Sequence, residues 1–232
     1  MSKCYRLTAA LAAVALGVAA PQCCAGPPPP PQPAHAPAAT RLDRFLQHLK
    51  TLKVTFRQTL VDAHGAEISR AAGTLIVARP GRFRWDIRPL GADGKAVGEG
   101  QLMVGDGRNV WFYDRDLQQV TVQPVSAALS ATPAMLLSGT VDVRRHFREQ
   151  SAGRREGLSW VFVEPKHASG ADFRSALFGF EHGTLERMIL EDTLGQVATV
   201  VFEHVEINRP VPARELTFSP PPGADVIGTP AK

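Results

Sequence analysis

The chain has 232 residues, 44% of them hydrophobic and 21% charged, with a formal net charge of +4. That length supports one sizeable domain, and the basic residues are spread among acidic ones without a dense stripe, so charge gives no argument for a nucleic-acid partner. All three cysteines, Cys4, Cys23 and Cys24, precede Ala25, which excludes disulfide staples, thiolate metal sites and a cysteine nucleophile downstream.

The first residues carry Lys3 and Arg6 and continue as LTAALAAVALGVAA, a basic start and an apolar run of signal-peptide length, short for a membrane span. A signal peptide is expected over residues 1–25, and its removal takes two bases and no acid. A cut after Ala25 leaves Cys23 and Ala25 as the small residues at the processing site. The Cys23-Cys24 pair leaves a lipidated N-terminus as the alternative, although Ala-Pro-Gln precedes it. Residues 26–39 are rich in Pro and Ala with almost nothing to bury, and read as an extended linker to a domain over 40–232.

That domain opens with TRLDRFLQHLKTL. Leu42, Phe45, Leu46, Leu49 and Leu52 recur at helical spacing, and Thr40 with Asp43 forms a capping-box pattern in which Asp replaces the usual Glu. From Val54 the period changes to two: VTFRQTLV puts Val54, Phe56, Gln58 and Leu60 on one face, and DAHGAE follows as a turn. GTLIVARPGRFRWDI, residues 73–87, reads as a strand broken by one Arg-Pro-Gly step. An unbroken pleat puts Leu75, Val77, Arg79, Gly81, Phe83, Trp85 and Ile87 on one face, so a single guanidinium interrupts an apolar row. Residues 88–100 form a glycine-rich connection, QLMV meets NVWFYD across GDGR as a hairpin, and DRDLQ returns the chain into QVTVQPV.

PVSAALSATPAMLLSGTVDV is small and apolar without alternation, and fits two short helical pieces around Pro133 with Met135, Leu136 and Leu137 as their most apolar cluster. HFREQ, GLSWVFVEPK, DFRSALFGFEHG, LERMILED, QVATVVFEHVEINR and finally ARELTFSPPP are strand-like, with turns at EHGT and DTLG. The expected fold is mainly β. An antiparallel sheet of this kind either packs on a second sheet or curls around a concavity that helices close, and the glycine-punctuated strands beside two apolar helical segments favour the second.

The seven histidines (35, 48, 64, 146, 167, 182 and 204) form no compact metal-ligand motif. Glu181-His182 and Glu203-His204 place neighbours on opposite strand faces, no Gly-x-Ser-x-Gly elbow occurs, and turn formation explains Asp114 and Asp116. No catalytic residue, metal or cofactor is expected.

GTLIVARPGRFRWDI, LMVGDGRNVWFYDRDLQQV, TPAMLLSG and ELTFSPPPGADVI follow one another in an order that resembles the periplasmic outer-membrane lipoprotein carrier (LolA) family over essentially all of residues 40–232. The resemblance implies an incomplete, highly curved antiparallel β-barrel whose apolar concavity is covered by short α-helices. It also implies a monomeric, non-enzymatic periplasmic chaperone. Such a carrier takes triacylated lipoproteins from an inner-membrane ABC transporter to an outer-membrane receptor of similar fold. The family's functional arginine falls on Arg79, as a latch on a helical lid, with Pro80, Phe83 and Trp85 at the cavity rim. Phe56, Leu75, Val77 and Trp111 are expected to line the acyl-chain cavity, and Leu42, Phe45, Leu46, Leu49, Met135, Leu136 and Leu137 to form the lid's apolar face. A guanidinium in a greasy rim is costly unless its donors are used, and helix-end carbonyls can use several at once. Two other readings stand beside the carrier: the outer-membrane receptor, and a structural or regulatory envelope module with an ordinary filled core. For Arg79 the competing reading is a side chain that snorkels into water. The sequence departs from the family in its Pro-rich lead and in the thirteen-residue connection from Arg88 to Gly100.

Overall fold

A computed structural model describes residues 39–126, 133–139, 143–167 and 173–231, all within the second of two units, Ala38–Lys232. The expected signal peptide, the cysteines and nearly all of the linker lie outside the described residues. Helix α1, Arg41–His48, starts at Thr40, whose hydroxyl accepts the Asp43 N–H at 3.0 Å while the Asp43 carboxylate accepts the Thr40 N–H at 3.2 Å. The shorter acid therefore still closes the capping box. The Thr40 hydroxyl also donates to Glu149. Thr40→Ala is expected to lower stability by about 1 kcal/mol, the usual cost of a lost N-cap. A urea midpoint that falls at constant m-value would show it, with Thr40→Ser near wild type.

Among the described residues twelve strands form one sheet: β1 Thr51–Val61, β2 Glu67–Ala78, β3 Arg82–Leu90, β4 Gln101–Asp106, β5 Asn109–Asp114, β6 Gln119–Pro124, β7 Phe147–Arg155, β8 Leu158–Pro165, β9 Phe173–Glu181, β10 Thr184–Asp192, β11 Val197–Ile207 and β12 Asp225–Ile227. Their order is β12-β6-β5-β4-β3-β2-β1-β11-β10-β9-β8-β7. Two runs of consecutive antiparallel strands thus join where β1 meets β11, and among the described residues only β12 pairs in parallel, with β6. A sheet this wide curls rather than staying flat. Its edge strands β12 and β7 do not meet, so the barrel is incomplete.

Helix α2, Pro133–Ser138, and α3, Val143–His146, lie between β6 and β7. The concave face and the helices share one apolar core: Leu42, Leu46 and Leu49 from α1 and its exit, Met135, Leu136 and Leu137 from α2, and Phe56, Leu75, Val77, Phe83 and Trp85 from the sheet. Two aromatic rings lie over glycines on paired strands, Phe56 opposite Gly73 and Phe83 opposite Gly105. A Cβ at Gly105 would come within 2.3 Å of the Phe83 ring, and one at Gly73 within 1.9 Å of the Asp86 carbonyl oxygen. These pairs let aromatic bulk lie against the pleat where the sheet bends.

Two expected elements take a different form. The Arg-Pro-Gly step is the tight turn of a β2–β3 hairpin, with Ala78 paired to Arg82 and Val77 to Phe83. Cross-strand partners share a face, so Leu75, Val77, Phe83, Trp85 and Ile87 still look the same way, although the chain reverses between them. ARELTFSPPP is not a strand: Ala213–Leu216 is a 3₁₀ turn. Leu216 packs with Ile76 and Ala78, while Phe218 sits 5.8 Å from both Trp111 and Tyr113, on the convex face. Apolar spacing alone does not separate a strand from an extended segment lying across a sheet.

Candidate functional site

The β2–β3 turn holds the end of α2 and extends the β1–β2 ladder by one bond. The Arg79 N–H donates at 2.8 Å to the carbonyl of Lys50, just beyond α1, and the Gly81 N–H donates at 2.8 Å to the Ser138 carbonyl of α2. Arg79 Nη1 donates to the Leu137 carbonyl at 3.1 Å. The other two carbonyls at the end of α2 are met from within, Met135 by the Ser138 hydroxyl at 3.0 Å and Leu136 by the Gly139 N–H at 3.3 Å. The last four carbonyls of a helix have no intrahelical partner; here all four are satisfied, two of them by the turn.

Gly139 makes this arrangement possible. Its φ of +74° is the left-handed C′ conformation, and a Cβ there would stand 2.7 Å from the Arg79 guanidinium. Desolvation by burial lowers the Arg79 pKa from its ordinary value, yet a guanidinium stays cationic in proteins. Among the described residues a single carbonyl accepts from the Arg79 side chain, where the sequence suggested several. The second bond to α2 comes from the Gly81 backbone, which side-chain chemistry does not reveal.

Phe56, Leu75, Val77, Phe83 and Trp85 meet the α1 and α2 leucines in the continuous core, and Phe45 packs on Phe180 of β9 at 5.5 Å. Pro80 is exposed at the tip of the turn. Trp111 lies on the other face: Val110 and Phe112 of β5 look into the concavity, whereas Trp111 joins Leu102, Val104, Tyr113 and Val120 on the convex side and donates to Asp106 at 2.8 Å. Both faces of NVWFYD are apolar, so alternation cannot tell which is inward; the C-terminal segment covering the convex face resolves it. Burial alone would raise the Asp106 pKa, but hydrogen bonds from Trp111, Asn109 and Arg108 outweigh it and hold the carboxyl below its ordinary value.

Met103, Phe112 and Ile87 also pack against the concave core, and Lys50, Gly81, Ser138 and Gly139 complete the contacts of the turn. Of these, only the Ser-Gly after MLL carried a readable signal, that of a helix stop. Trp85 brings one polar atom, its Nε1, into the concave face without a partner among the described residues. Leaving such a donor buried costs about 1–3 kcal/mol. Among the described residues no group of three or more His, Cys, Asp or Glu is placed to hold a metal ion, and no helix is long and apolar enough to cross a membrane.

Residues 47–219 match the sequence model of the outer membrane lipoprotein carrier protein LolA. The outer-membrane lipoprotein carrier protein of Dechloromonas aromatica is 39% identical over 196 residues, covering 84% of this chain and 89% of the relative. That of Chromobacterium violaceum is 36% identical over 216 residues, covering 93% and 94%. A solved LolA superfamily protein from Nitrosomonas europaea is 13% identical with a TM-score of 0.43, covering 77% of this chain and 96% of its own. On the extent of these sequence matches, the chain belongs to the outer membrane lipoprotein carrier protein family.

Proposed function

We propose that this chain is a periplasmic chaperone that takes triacylated lipoproteins from an inner-membrane ABC transporter and delivers them to an outer-membrane receptor, with Arg79 as the latch of a helical lid. Residues 1–25 act as a removable leader, 26–39 as a linker and 40–232 as the carrier domain. The observation that supports this reading is the apolar concavity covered by short helices, with the end of α2 held by one hairpin turn. The α1 and α2 side chains fill the space in which acyl chains would lie, so loading exchanges one set of apolar contacts for another.

Magnitudes support a latch of this size. Each hydrogen bond of the turn is worth about 0.5–1.5 kcal/mol net, somewhat more from a charged donor, whereas an acyl chain gains about 0.8 kcal/mol per buried methylene. A few methylenes therefore outweigh the bonds, and the bonds bias the lid without locking it.

The test is transfer in vitro: the mature chain, incubated with inner-membrane vesicles bearing a radiolabelled lipoprotein and the transporter, should release the lipoprotein as a soluble one-to-one complex. Intact mass should show no acyl modification. Absence of any soluble complex would overturn the carrier, and a diacylglyceryl group on Cys23 or Cys24 would make the chain a receptor.

A further inference from the structure

Between α1 and the β9–β10 turn runs an open groove of about 430 Å³. Its floor is apolar, with Phe45, Leu49 and Phe180. Its rim is basic, because Arg41, Arg44 and His48 recur at helical spacing on the exposed side of α1. No Asp or Glu is among the described residues that line it. Exposed arginines elsewhere are paired, Arg57 with Glu203 and Arg174 with Glu191, whereas neither Arg41 nor Arg44 has an acidic partner among the described residues.

The main chain along the α1 wall is already satisfied. His48 Nδ1 donates to the Arg44 carbonyl at 2.8 Å, and the Leu49 N–H donates to the Phe45 carbonyl at 3.0 Å. Asn208 accepts the Lys50 N–H at 2.7 Å and donates to the His48 carbonyl at 3.0 Å. Two unpaired guanidinium forks over hydrocarbon remain. A peptide crossing the groove would find few main-chain partners there, whereas a phosphate accepts several donors at once and an acyl chain needs none. We infer that the groove takes the head of an anionic phospholipid at a bilayer surface, with its phosphate against Arg41 and Arg44 and its first methylenes over Phe45 and Phe180. Residues 26–39, which lead into α1, make a poor occupant because they contain no acid. The site lies on the side of α1 away from its buried leucines and goes beyond the carrier reading.

The experiment is flotation of the mature protein, without lipoprotein, transporter or receptor, on phosphatidylcholine vesicles with or without phosphatidylglycerol. At about 0.1 M salt, charges farther than about 10 Å from the surface are screened. The wild type should prefer the anionic vesicles. Arg41→Gln with Arg44→Gln should weaken that binding about 25-fold, at about fivefold per arginine near an anionic surface. Arg82→Gln with Arg88→Gln removes the same charge from exposed positions of β3 and should stay near wild type. Dihexanoylphosphatidylglycerol below its micellar concentration should displace the protein, and equal inorganic phosphate or hexaglutamate should not. The inference is overturned by the absence of an anionic preference in the wild type, or by equal losses in the two double variants, which mean diffuse electrostatics. Displacement by phosphate, which means a simple anion site, or by hexaglutamate, which means an acidic protein segment, overturns it as well. None of these outcomes touches the carrier reading, which the transfer assay tests separately.

Discussion

Folded Arg79→Leu is expected to bind lipoprotein more tightly than the wild type and to deliver it to the receptor at least about tenfold more slowly. Arg79 is only partly buried and belongs to a turn, so the sheet does not depend on it. Its loss removes the guanidinium bond to Leu137, while the backbone bonds from Arg79 to Lys50 and from Gly81 to Ser138 survive. A bond from a charged donor is worth about 1.5–3 kcal/mol, which on the proposed latch is one to two decades in the ratio of closed to open lid. Cargo that binds the open state gains affinity by that factor, and what loading gains, release loses. Arg79→Lys recovers part of the effect, because an ammonium lacks the planar fork of a guanidinium. Gly139→Ala acts from the opposite side, straining a residue at φ +74° and crowding the guanidinium. Transfer from inner-membrane vesicles to purified receptor measures the rate, with circular dichroism showing that each variant is folded. A wild-type rate for Arg79→Leu would remove the residue from the mechanism.

Phe83→Ala is expected to lower the stability of the domain by about 3–5 kcal/mol, the range for truncating a buried aromatic side chain and a large share of the roughly 5–15 kcal/mol that holds a domain folded. The Phe83 side chain is fully buried between the sheet and the helices, and Gly105 on β4 leaves it room. The two positions should therefore couple. Gly105→Val drives a side chain into the ring in the wild type, whereas in the Phe83→Ala background it enters vacated space, so its cost there should be smaller by more than about 1 kcal/mol. Urea denaturation of the four proteins measures this. Equal costs in both backgrounds would show that the ring does not lie on Gly105.

Local chemistry made α1 readable from the sequence: the Thr40–Asp43 box and the leucine stripe act within a few residues of one another, and the structure repeats both. Alternation likewise found the strands, and the odd-numbered row from Leu75 to Ile87 survived a misread chain reversal because cross-strand partners keep their parity. The inward face of β5 was another matter. Trp111 and Phe112 are adjacent aromatics, and which one faces the concavity depends on Phe218, more than a hundred residues away. The contacts of the β2–β3 turn were hidden for the same reason: a lone arginine in an apolar row signals that something must accept its protons, but the acceptor is a carbonyl on a helix distant in sequence, helped by the Gly81 N–H that every residue type except proline possesses. Sequence by itself determined the periodic elements, the mainly β class and the family, because spacing and motif order are properties of the chain. Only the tertiary structure decided which apolar face is inside and which backbone groups meet the end of α2, because those depend on long-range packing and on main-chain atoms that residue identity leaves nearly unmarked.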